Sequence, residues 1–170
     1  MALDTNSTVW NFETWGGPYR LVSHLLDCSS PETTPMQIQC STSFSAVLTR
    51  SGDVYMWTMH NSEHRHKSAR AIVSNSGVPC HTWKINMDPA KLPSLPDLPD
   101  LPMNGLAEEE RRKETKLIKI ATCLDNLVGL TNKGHVLRTG SLCGEDPTWA
   151  WDYVSESSWM TWHPFLNRDM

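Results

Sequence analysis

One short signature occurs twice in this chain, and no other feature constrains the fold as tightly. The first copy runs from Ile38 to Trp57 and the second from Ile120 to Thr139, at a spacing of 82 residues with no gap. In that register Ile38, Leu48, Thr49, Gly52 and Val54 stand opposite Ile120, Leu130, Thr131, Gly134 and Val136. Internal repetition outranks local propensity, because it means that one supersecondary unit is built more than once. In each copy an apolar run, Phe44 to Leu48 or Leu127 to Leu130, leads into a polar stretch with a central glycine. A second apolar run follows, Val54 to Trp57 or Val136–Leu137. The pattern predicts two antiparallel β-hairpins, with Gly52 and Gly134 supplying positive φ at the turns. Neither first run alternates cleanly, so both predict strands covered on two faces. Propeller blades pack in this way, each sheet covered on both sides by copies of itself.

The shared residues Leu-Thr-x-x-Gly-x-Val, extended in the first copy by Tyr55 and Trp57, carry a family resemblance. They resemble the regulator of chromosome condensation repeat, in the superfamily that includes beta-lactamase-inhibitor protein II. That repeat builds one blade of a seven-bladed β-propeller. The stretches Gly17–Val22, Leu26–Asp27 and Glu114–Ile120 are similar to the fungal F-box proteins with such repeats, the SCF-associated factor group. The resemblance implies non-catalytic protein binding through the propeller surface, in substrate presentation by an SCF-type ubiquitin ligase adaptor. Nothing here resembles the F-box itself: Leu21–Leu26 is too short and follows Gly17–Pro18. Binding of the SCF linker subunit is therefore not expected. The Ran exchange activity of the founding member is not implied, since its acting residues are not identifiable here.

At roughly 50 residues per blade, this chain holds about three blades at most. The expected fold is all-β, a partial β-propeller of about two to three blades with a Pro-rich inserted loop. Residues 1–170 form one domain, with 1–34 the remnant of a preceding blade, 36–58 the first repeat hairpin and 117–140 the second. Between the hairpins lie a polar link, 59–88, and a Pro-rich and charged insertion, 89–116. The link carries strand-like pieces at Ala71–Val73 and His81–Ile85. An open set of blades exposes faces and strand edges, so self-association is expected.

The net charge of −4 argues against nucleic acid as a partner. No apolar run approaches the length of a membrane span, and the N-terminus has no signal-peptide pattern. Five cysteines without tight spacing suit reduced thiols, which places the chain in the cytosol or nucleus and not among secreted proteins. Cys40 and Cys123, inside the repeat strands, are expected to be small buried hydrophobes.

The signature residues Leu48, Thr49, Gly52, Val54, Trp57, Leu130, Thr131, Gly134 and Val136 are read as the structural core of the repeat. Thr49 and Thr131 are read as strand-end residues that bond their turns. In the insertion, Pro93, Pro96, Pro99 and Pro102 recur every third residue, and Leu92, Leu95, Leu98 and Leu101 do the same. That period matches polyproline II, with prolines on one edge and leucines on another. Leu92, Pro93, Pro96, Pro99 and Pro102 thus form a candidate docking loop for a proline-reading domain. The opposing reading is an extended loop, without regular structure over 89–105, whose leucines lie on the propeller surface. Lys91 is the one flanking cation, and Asp97 and Asp100 do not help the docking reading. The run Glu108–Glu114 suits a short solvated helix.

His60, His64, His66, Cys80 and His81 are metal-capable, but they lack the compact paired spacing of a structural zinc site, so no metal is expected. No nucleotide-binding, hydrolase or metalloprotease motif is present, so no catalytic residue and no cofactor is expected. The sequence leaves two further functional readings: a truncated propeller fragment without a defined partner, and a scaffold acting through the Pro-rich loop.

Overall fold

The computed structural model describes residues 1–12, 18–58, 66–68, 83–86, 89–98, 113–143 and 147–154. Every regular element among them is a β-strand. The strands are β1 (Ala2–Leu3), β2 (Val9–Phe12), β3 (Pro18–Val22), β4 (Pro35–Cys40), β5 (Phe44–Thr49), β6 (Val54–Thr58), β7 (His66–Ser68), β8 (Trp83–Asn86), β9 (Ala90–Lys91), β10 (Leu117–Cys123), β11 (Asn126–Thr131), β12 (Val136–Thr139) and β13 (Trp151–Tyr153). They form three sheets. The N-terminal sheet has the order β1-β2-β3-β8-β7, the middle sheet β4-β5-β6-β9 and the C-terminal sheet β10-β11-β12-β13. The middle and C-terminal sheets are antiparallel throughout, whereas β3 and β8 pair in parallel.

The hairpins fold where the repeat predicts them. Phe44 to Leu48 pair with Thr58 to Val54, and Val128 to Leu130 pair with Arg138 to Val136. The two turns are closed by the same bonds. The amides of Thr49 and Thr131 donate to the carbonyls of Asp53 and His135, each at 2.9 Å. The amides of Gly52 and Gly134 donate to the carbonyls of Thr49 and Thr131, each at 3.1 Å. Both glycines have positive φ, 97° and 89°.

The 82-residue register extends beyond the signature. An irregularity between Pro35 and Gln37 recurs between Leu117 and Lys119. Arg50 donates to the carbonyl of Thr34 as Asn132 does to that of Lys116, both at 3.0 Å.

The fourth strands diverge. β13 follows its hairpin after a short connection, whereas the chain leaves β6, contributes β7 and β8 to the N-terminal sheet, and only then returns as β9. Ala90–Lys91, at the head of the stretch expected to be an insertion, is therefore the outer strand of the middle sheet. Residues 92–98 carry no regular structure. The expected strand at 71–73, residues 108–112 of the expected helix and most of the histidine cluster lie outside the described residues, while 113–114 carry no helix.

The middle sheet lies between the other two. On one face Phe44, Ala46, Leu48, Val54 and Met56 pack against Leu117, Ile120, Leu127, Leu137 and Trp151 of the C-terminal sheet. On the other, Val47 and Trp57 pack with Val9 and Leu21 of the N-terminal sheet, and Ile38 joins them. This explains the consecutive apolar run Ala46-Val47-Leu48, since every side chain in it meets an apolar neighbour.

The same expectation fails for the second hairpin. Along β11 only Leu127, Gly129 and Thr131 are fully buried, and the intervening residues are half-buried, so one face alone is fully covered. Cys40 and Cys123 also depart from expectation: both are exposed at strand ends.

Candidate functional site

Facing edges of the middle and C-terminal sheets are tied by a ladder of side-chain bonds between register-equivalent positions. The Gln37 amide imitates a strand: its Nε2 donates to the Ile120 carbonyl at 2.7 Å and its Oε1 accepts from the Ile120 amide at 2.9 Å. Ser43 Oγ donates to Asp125 Oδ1 at 2.7 Å, and Thr122 Oγ1 donates to the Cys40 carbonyl at 3.1 Å. Ser41 Oγ donates to the Leu124 carbonyl. These partners lie 82 or 83 residues apart, so each sheet meets the next at nearly the same place in the repeat. No sequence signal marks Gln37, because its role exists only when another sheet lies alongside.

At the turn end of the two hairpins lies a cleft of about 890 Å³. Its floor is apolar, made by Val54, Leu92, Leu117 and Trp151. Its rim is polar and carries both signs of charge: Asp53, Glu114, Lys116 and Lys133.

The first turn supplies one wall. The Thr49 hydroxyl donates to the Asp53 carbonyl at 3.2 Å and lies 2.8 Å from Ser51 Oγ. Ser51 Oγ in turn donates to Asp53 Oδ2 at 3.0 Å. The other carboxylate oxygen pairs with Lys91 Nζ at 2.9 Å. That hydrogen bond to Asp53 raises the Lys91 ammonium above its ordinary pKa, against the smaller effect of burial. Lys91 also sits 5.9 Å from the Tyr55 ring centroid.

The second turn supplies the opposite wall. Thr131 Oγ1 accepts from the His135 amide at 3.0 Å, and the buried His135 ring meets the Tyr153 ring edge-on at 5.9 Å.

Of the predicted site residues, Leu48, Thr49, Val54, Trp57 and Thr131 are buried, and Leu130 and Val136 are half-buried. Gly52 lines the cleft, while Gly134 is exposed. The candidate docking loop is divided. Leu92 is buried, and Leu95 and Leu98 pack against the same core, while Pro93 and Pro96 are exposed. Pro99 and Pro102 lie outside the described residues. The leucine edge of the polyproline pattern is thus turned inward, and its one flanking cation, Lys91, is held by Asp53.

Two consecutive four-stranded antiparallel sheets, stacked face to face in one repeat register, have the construction of propeller blades. The fold is a partial β-propeller.

Solved structures of similar fold include human WBSCR16, at 15% identity and a TM-score of 0.49, with 90% of this chain and 36% of that chain covered. Yeast RCC1 (Prp20), solved with Kap60 bound to it, gives 14% identity and a TM-score of 0.42, covering 82% of this chain and 28% of that one. Prp20p from Saccharomyces cerevisiae, described together with its binding to Gsp1p and histones, gives 16% identity and a TM-score of 0.39, covering 82% and 30%. The chain spans about a third of the length of these structures. No protein-family model and no curated protein matches the sequence.

Proposed function

We propose that this chain is a non-catalytic protein-binding module of the regulator of chromosome condensation repeat type, acting in the cytosol or nucleus. The observation that carries the reading is the cleft between the hairpins, with its apolar floor and a rim of mixed charge. An apolar centre within a polar rim is the usual anatomy of a protein-docking surface. Two of its walls are hairpin turns fixed by internal hydrogen bonds, so that part of the surface is preorganised, and residues 92–98 line the rest. The finer role, drawn from the sequence resemblance, is substrate presentation in an SCF-type ubiquitin ligase adaptor, with this stretch of chain contacting the substrate and not the linker subunit.

A pull-down with the full chain tests the reading. Lys116→Glu with Lys133→Glu should lose partners that the unmodified chain retains, while the thermal transition stays in place. Partners unaffected by the rim charges would end the proposal. Purified SCF linker subunit should not bind either form.

The scaffold reading, through the Pro-rich loop, is disfavoured by the inward leucines. Deleting 89–103 would remove β9 and Leu92, so Pro93→Ala with Pro96→Ala is the cleaner discriminator. Because Pro93 and Pro96 also line the cleft, loss of partners on that change favours the scaffold only where Lys116→Glu with Lys133→Glu leaves them bound.

A further inference from the structure

One wall of the cleft differs in kind from the others. Residues 92–98 line it over their whole length. Leu92 fixes its start: the side chain is 3% exposed, and the amide donates to the Val54 carbonyl at 2.8 Å. Beyond Leu92, residues 93–98 make no hydrogen bond and no ion pair with any described residue. Pro93, Ser94, Pro96 and Asp97 are exposed, and the half-buried Leu95 and Leu98 pack against the core between the two sheets. A segment held by two side chains, without backbone bonds, belongs to the low-stability end of a fold. The turns that form the other walls are closed by backbone hydrogen bonds.

The seat of this segment records what the cleft can receive. It takes leucine side chains spaced three apart in sequence and leaves the residues between them in solvent. Prolines follow each of these leucines, at 93, 96 and 99, and a residue before proline is held extended. The exposed edge carries an acid, Asp97, and the rim of the cleft carries Lys116 and Lys133 together with Glu114. Asp53 is already matched by Lys91. Lys116 Nζ donates to the Arg50 carbonyl at 3.2 Å, and Lys133 has no ion pair among the described residues, so both ammonium groups still lack an acid there.

We propose that residues 93–98 are a displaceable strap, and that the partner of the cleft is an extended segment that takes the strap's seat. That segment carries leucine at every third residue, proline after the leucines and acidic residues among the spacers. The inference rests on the reading of the cleft as a docking surface and names the class of its ligand. The strap is an intramolecular competitor. It lowers the apparent affinity by the fraction of molecules in which the seat is free. Prolines in the partner reduce the ordering cost of binding, because the free segment is already extended.

Fluorescence anisotropy of a labelled peptide copying residues 92–102, titrated with the full chain, tests this. Leu95→Ser with Leu98→Ser empties the seat, and this variant should bind the peptide at least about tenfold more tightly than the unmodified chain. The same peptide with serine for each leucine should bind neither form. Equal affinity for the two forms would overturn the proposal, since the peptide would then lie elsewhere. Absence of binding to the emptied variant would overturn it too.

The pull-down separates this inference from the docking reading. The strap variant should capture more of the partners that Lys116→Glu with Lys133→Glu loses. If the lysine variant loses partners and the strap variant gains none, the docking reading stands and the strap falls. Partners indifferent to the rim lysines remove the docking reading itself. Where the double variant fails to fold, Leu98→Ser alone is titrated in the same way. On the unmodified chain, excess peptide should release captured partners, and partners that stay bound would refute the shared seat.

Discussion

In the first repeat hairpin, Ala46, Leu48, Val54 and Met56 lie beneath a neighbouring sheet; in the second, Val128, Leu130, Val136 and Arg138 occupy the same register and face outward. Both turns are closed by the same backbone hydrogen bonds at the same distances. Burial differs because burial belongs to position in the stack and not to the hairpin. The sequence accommodates this at two places, with asparagine at 126 where the first copy has Phe44 and arginine at 138 where it has Met56. On the opposite face the accommodation is reversed. Gly129 replaces Val47, and a Cβ there would meet Leu117 Cδ2 at 2.6 Å and the Trp151 ring at 3.2 Å. The second copy thus makes room for the large ring that β13 supplies.

The largest test of this difference is truncation at equivalent positions. Met56→Ala should cost about 2–5 kcal/mol, because it removes a fully buried side chain and leaves a cavity. Arg138→Ala should stay within about 0.5 kcal/mol, as an exposed residue does. Urea unfolding of the dilute chain reads both, and equal losses would break the comparison.

The turns provide a second pair. Alanine at Gly134 meets the left-handed backbone penalty of about 1–2 kcal/mol. Alanine at Gly52 meets the same penalty and also places a Cβ 2.7 Å from Lys116 Cβ and 2.9 Å from the Leu117 amide nitrogen. Its destabilisation should therefore exceed that of Gly134→Ala in the same melts.

Gln37→Ala sharpens the comparison at the junction. It leaves the Ile120 amide and carbonyl without their side-chain partner, at a cost of about 1–3 kcal/mol. The register equivalent is Lys119, which is exposed, and Lys119→Ala should change little. Hydrogen exchange at the Ile120 amide should accelerate only in the first variant.

The smallest effect lies outside both hairpins. Asp4 holds the β1–β2 turn by accepting from the Asn6 and Thr8 amides and from Trp10 Nε1. The Trp10 bond, followed by those from the backbone, lowers its pKa below 3.8. A carboxylate lowered in the folded state contributes stability that is full above its unfolded pKa and is lost as pH falls through the folded value. Asp4→Asn should therefore cost at most about 1 kcal/mol near neutral pH, with the gap to the unmodified chain closing below pH 3.8. A gap that widened in acid would assign the turn to other contacts.

The hairpins and their glycine turns were legible because they depend on local order: run length, strand-forming residues and positive φ. The cleft was legible only in its parts. Gly52, Val54 and Leu92 are visible in the repeat and the Pro-rich period, but Lys116, Lys133 and Trp151 join them only through the stacking of two sheets.

By itself the sequence determined that one hairpin is built twice, 82 residues apart, since that depends on the order of residues along one strand and its neighbour. Tertiary structure decided which hairpin is covered on both faces, that Gln37 serves as a strand edge for Ile120, and that β9 completes the middle sheet after β7 and β8 have joined another. Those outcomes depend on which surfaces meet across long separations in the chain. An apolar run reads the same whether or not a neighbouring sheet lies over it.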